Sequence, residues 1–181
     1  MPDPTTDQTL RELQQVSLSL RRASEQLELL DRTGQVPIYP LFGELIQHVA
    51  VAQNLSHTTA QLATGFSVRL DAPSEELSRA HSHLVTAVAH TCSAVALFAR
   101  TAQTSTSPAP AQGTPDAERR QWKLVLDHAE GRAELRRASE AVSAAAKHLQ
   151  DHHDLQQFLS KALGRATDAP KAAPPSPRRS R

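Results

Sequence analysis

The sequence predicts an all-α protein, an antiparallel up-down-up-down four-helix bundle with a long fourth helix and a disordered C-terminal tail. Three observations carry that expectation. Apolar residues recur at steps of three and four along four separate stretches, the spacing that lays them on one stripe of a helix. Pro, Gly and short Ser/Thr/Asp clusters punctuate the chain between those stretches. The apolar share is 39% with only 3% aromatic, so the core must come from Leu, Val and Ala. Those residues suit close helix packing better than a β pleat, and the alternation that strands need is missing.

The first helix is expected over about 4–33. Asp3-Pro4 opens it, Thr33-Gly34 closes it, and Leu13, Val16, Leu20, Ala23, Leu27 and Leu30 form its stripe. The second spans about 40–64, with Pro40 in its first turn and Gly65 as a left-handed stop. Its apolar face is the widest of the four. The third covers about 72–103 after Asp71-Ala72-Pro73, with Glu75 and Glu76 favourable in its first turn. Its seam runs Leu77, His81, Leu84, Val88, Thr91, Val95, Phe98 and Ala102. Gln103 to Gly113 reads as a loop.

Thr114-Pro115-Asp116 opens the fourth helix, about 115–163, and Gly164 closes it. At that length it must overhang its neighbours or bend near Gly131. In the up-down-up-down order Tyr39, Phe42, Phe98 and Trp122 meet at one end of the bundle and plug it, with Phe66 and Phe158 towards the other. Residues 1–164 then form the bundle. The segment 165–181, with four prolines, is expected to be disordered.

Composition narrows the function classes. A net charge of +1 gives no global field towards nucleic acid or anionic lipid. The single Cys92 excludes an internal disulfide and any multi-cysteine metal site. The start, Met1-Pro2-Asp3-Pro4, has neither the basic nor the apolar region of a signal peptide, and a cytoplasmic location is expected. Arg outnumbers Lys, the bias of GC-rich codons, which points to a bacterial source. The uncharged stretch between Arg79 and Arg100 is long enough to span a membrane. Its three histidines and its Ser and Thr residues fit a buried bundle helix better.

Several side-chain sets are candidate sites. Leu-Arg-Arg-Ala-Ser-Glu occurs at Leu20 to Glu25 and again at Leu135 to Glu140. The flanks diverge, so convergent helix chemistry explains the repeat better than duplication. Its Arg-Arg-Ala-Ser resembles a basophilic kinase site at Ser24 and Ser139, but a mid-helix serine offers no extended substrate. His148, Asp151 and His152 share one helical face with a spacing that can hold zinc, and His48, His90 and His128 fall at one level of the bundle. No Glu-x-x-His pair accompanies them, so surface or half-buried histidines are the expected outcome. No phosphate loop, nucleophile elbow or paired-carboxylate spacing is present, so neither catalysis nor a cofactor is expected.

Charge separates the helices. The fourth carries many charges of both signs, whereas Gly34 to Ala99 has only Glu44, Arg69, Asp71, Glu75, Glu76 and Arg79. That contrast points to a non-enzymatic interaction or scaffold protein, self-associating as a homodimer or docking another helical protein. Leu18, Leu29, Leu41, Ile46 and Leu55 are the candidate partner-binding residues. The alternative is an accessory nucleic-acid-binding protein that uses the basic tail through Arg178, Arg179 and Arg181.

Overall fold

The computed structural model describes residues 4–30, 42–68, 74–108, 110–111 and 113–167. Four helices account for almost all of them: α1 (Pro4–Gln26), α2 (Phe42–Val68), α3 (Glu75–Thr106) and α4 (Pro115–Thr167). No strand occurs among the described residues.

Side-chain pairings fix the topology. Ser17 meets Ser139 and Ser143, and the Arg132 Nε–H donates to the Ser24 carbonyl at 2.7 Å, so α1 and α4 run antiparallel. Phe66 stacks on His81 while Ser56 meets Cys92, which makes α2 and α3 antiparallel. Ser74 lies beside His152 and Arg120 beside Thr104, which does the same for α3 and α4. The helices therefore form an up-down-up-down ring. The α3–α4 seam is the most extensive and the α1–α2 seam the sparsest.

Small residues set the close spacing. Ala80, Ala87 and Ala94 of α3 face Ala138 and Ala145 of α4 in the main core, with Leu13, Leu20, Leu84, Leu135 and Val142 filling between them. A second, smaller cluster of Leu29, Leu45, Ala102 and Leu124 closes one end. Gly131 of α4 is a close-approach position, because a Cβ there would lie 3.1 Å from the Phe98 ring. The helix passes through Gly131 without interruption.

The helix ends depart from expectation in instructive ways. α1 stops at Gln26 rather than near 33. The Leu27 N–H still reaches the Ala23 carbonyl, and the chain then leaves the helix to bury Leu29 against Leu45 and Leu124. Thr33-Gly34 lies outside the described residues. α2 runs through Gly65 to Val68, because burying Phe66 rewards another turn. α4 likewise passes Gly164 and reaches Thr167. A glycine lowers helix propensity by about 1 kcal/mol but stops a helix only where the chain must turn.

The N-cap of α3 is Ser74, whose Oγ accepts from the Leu77 N–H at 3.2 Å. Thr114 caps α4 the same way towards Ala117 at 3.3 Å, just after Gly113 turns the chain at φ 76°. α3 continues to Thr106, past the expected 103. There the Arg120 guanidinium donates to the carbonyls of Thr104, Ser105 and Ser107 at 2.9–3.1 Å, capping the C-terminus of α3 from the neighbouring helix.

The aromatic plug needs correction. Phe98 and Phe66 are buried, but Phe42, Trp122 and Phe158 are exposed, and Tyr39 lies outside the described residues. Trp122 stands two residues from the buried Leu124, a rotation of about 200° that turns it to the outer face. Residues 165–167 belong to α4, and 168–181 lie outside the described residues. By length and composition Glu75–Thr106 is apolar enough to cross a membrane. In the fold it packs between α2 and α4 with one face buried.

Candidate functional site

α4 is 53 residues long, ~80 Å if straight, while α1, α2 and α3 have 23, 27 and 32 residues. Its seam is covered up to Leu149, the last buried residue, and Ser74 reaches across to His152 at 3.2 Å. Beyond that level α4 carries large apolar side chains into solvent on a face turned away from the seam, since Phe158 follows Leu149 by nine residues, a rotation of about 180°. Leu155 is 49% exposed, Phe158 67%, Leu159 44% and Leu163 69%. Steps of three and four place these side chains on one stripe. The overhang forms its own local bonds: Gln150 Nε2 donates to Asp154 Oδ1 at 2.8 Å, His153 and Gln157 meet at 2.7 Å, and Ser160 Oγ donates to the Gln156 carbonyl.

A second opening lies along the sparse α1–α2 seam at the same end of the bundle. It is a groove of about 470 Å³ whose apolar floor includes Val16, Leu55, Leu62 and Phe66. Between α3 and α4 a shallower depression gathers Ser93, Arg100, Asp127, Glu130 and Glu134. Arg100 stands 3.5 Å from one Asp127 oxygen, and the other oxygen is buried without a hydrogen-bond partner among the described residues.

The interior holds a histidine pair. His48 Nδ1 and His128 Nε2 are 3.0 Å apart, and both rings stand edge-on to Phe98. One nitrogen must carry a proton and the other a lone pair, so the contact requires at least one neutral ring. Burial pushes the His128 pKa down to about 3, helped by the neighbouring His48 and Arg132. Burial also lowers His48, with Glu44 opposing and Arg132 reinforcing the shift.

The expected trio of histidines is thus split. His48 and His128 meet, while His90 pairs with Glu134 at 2.6 Å, and Arg137 holds the other Glu134 oxygen. His148, Asp151 and His152 do not converge. His148 stacks on His83, His152 meets Ser74, and Asp151 is exposed. Among the described residues no group of three or more His, Cys, Asp or Glu side chains is placed to hold a metal. Ser24 and Ser139 are buried, and Ser139 exchanges hydrogen bonds with Ser17, so neither serine is presented to a kinase.

No family model, curated protein or solved structure matches the chain. Its site must therefore be read from the geometry alone.

The expected partner-binding residues do not form one face. Leu18 is 55% exposed on the outside of α1, but Leu29 is only 8% exposed and belongs to the core. The expected shared face of Leu18 and Leu29 presumed a helix reaching Leu29, and α1 ends before it. Ile46 is exposed on α2, Leu55 is half-buried in the groove floor, and Leu41 lies outside the described residues. Arg178, Arg179 and Arg181 also lie outside them.

Leu155, Phe158, Leu159 and Leu163 were not among the expected partner-binding residues. The signal that could have found them was the expected overhang: α4 has 53 residues against 23, 27 and 32 in the other helices.

Proposed function

We propose that the chain is a non-enzymatic helical interaction protein whose docking element is the C-terminal overhang of α4. The observation that supports this reading is the exposed apolar stripe of Leu155, Phe158, Leu159 and Leu163 past the last buried residue of α4, Leu149. An amphipathic helix with one exposed apolar stripe suits the helix-in-groove form of recognition, in which anchors at three- and four-residue steps bury against a partner helix. Each anchor contributes roughly 1.5–3 kcal/mol when fully covered. Association costs at least several kcal/mol of rigid-body freedom, so several anchors must act together.

Phe158→Glu combined with Leu159→Glu tests the reading. Both positions are exposed, so the bundle should keep its helical content and melting temperature. Wild-type and variant chains, used side by side as tagged baits in an extract of the source cells, should differ in a partner that only the wild type retains. That partner is either the untagged chain itself or another protein. Identical capture by the two baits would contradict the assignment of the α4 end as the docking element.

A further inference from the structure

The charges beside the α4 stripe indicate what covers it. Asp154 and Lys161 are both exposed and stand seven residues apart, two helical turns, so they share one edge of the stripe. The acidic residue lies towards the body and the basic one away from it. Asp151, also exposed, extends the acidic end. An edge that runs from acid to base is complementary to itself when reversed. Side by side in the same direction, two such helices set Asp154 level with Asp154 and Lys161 level with Lys161. In opposite directions each aspartate meets a lysine.

The midpoint of Asp154 and Lys161 falls between 157 and 158. Phe158, the largest exposed ring of the overhang, therefore sits beside the place where a two-fold axis must pass. We infer that the overhang is a homotypic dimerisation site. Two copies lay their Leu155, Phe158, Leu159 and Leu163 stripes together in opposite directions. Asp154 of one copy then lies beside Lys161 of the other, on both sides of an axis near Phe158. This rests on the α4 end being the docking element and names its occupant.

An isologous pairing makes every contact twice, so one acidic and one basic position suffice for two ion pairs. It also leaves the two bundle bodies at opposite ends of the paired segment, an elongated dimer. The four anchors of each copy expose on the order of several hundred Å², below the ~800 Å² per partner of a standard interface. The dimer is accordingly weak, with a dissociation constant on the order of 10–100 μM. Its charge pairs stand at the rim, where they select direction and respond to salt more than they add affinity.

Sedimentation velocity on the full chain over a range of concentrations tests the pairing. The wild type should pass from monomer to an elongated dimer, and Phe158→Glu should hold it monomeric. Asp154→Lys alone and Lys161→Asp alone each set like charges together and should each weaken the dimer about tenfold at low salt. The double variant Asp154→Lys with Lys161→Asp restores opposite charges in reversed order and should return the constant to within about threefold of wild type. A dimer unaffected by either single reversal, or one that the double variant fails to restore, overturns the antiparallel pairing. A wild-type chain that stays monomeric at every concentration overturns the homotypic occupant. If that monomer still captures a Phe158-dependent partner, the docking role of α4 stands and only its occupant changes. If capture is also lost, both fail.

Discussion

Two stretches of α4 carry apolar stripes and meet opposite fates. From Gly131 to Leu149 the inward positions are Gly131, Leu135, Ala138, Val142, Ala145 and Leu149, all buried. From Leu155 to Leu163 the apolar stripe is Leu155, Phe158, Leu159 and Leu163, all exposed. The stripe turns to another face of the helix, and residue size changes. Beside three other helices small residues, Gly131, Ala138 and Ala145, alternate with larger ones, because the helices approach closely enough that a Cβ at Gly131 would crowd the Phe98 ring. Past the ends of those helices every residue of the stripe is large. Large side chains suit a seam between two helices, where fewer neighbours must fill the same gap. A periodic stripe therefore specifies a helix face, and the size of its residues indicates how many helices cover that face.

Two phenylalanines offer the sharpest way to break this comparison. Phe98→Ala removes a ring enclosed by His48, His128 and Gly131. It should cost roughly 3–5 kcal/mol of unfolding free energy. Phe158→Ala, in a dilute sample, should shift stability by less than about 0.5 kcal/mol. Denaturant unfolding of both variants measures the contrast. Similar losses at the two sites would show that the overhang is packed after all.

The covered half of α4 also carries a pH dependence. His128 titrates near its ordinary pKa once unfolded but only at about 3 when folded. The unfolded chain therefore binds the extra proton first. The stability associated with this group is complete above pH 6.5 and is lost progressively as the pH falls towards 3. At pH 5 the loss from this one site is about 2 kcal/mol. Melting temperatures from pH 7.5 to 4.5 should show it, and His128→Gln should flatten the slope. An unchanged slope in the variant would place the acid sensitivity elsewhere.

Much of the fold was legible in the sequence because helix stripes and caps are local. The period of Leu13 to Leu27, the Thr114-Pro115 start and the unusual length of the fourth helix are all visible without tertiary information. What was not legible depended on distant neighbours. Gly65 has the right residue type for a stop, yet burial of Phe66 carries the helix past it. Leu29 has the right spacing for an outer helical face, yet it leaves the helix to fill a gap beside Leu124. The level shared by His48 and His128 could be counted along the chain. The turn of His90 towards Glu134 could not, since it depends on the rotation of α3 about its own axis.

Amide hydrogen exchange along α4, followed as a function of protein concentration, tests the division of this helix most directly. Amides from 131 to 149 should be protected equally in dilute and concentrated samples, because the bundle covers them. Amides from 153 to 163 should exchange quickly when dilute and gain protection as concentration rises, in step with dimer formation and only while Phe158 is intact. Equal protection of both stretches at the lowest concentration would contradict the account, as would an overhang that stays unprotected at the highest.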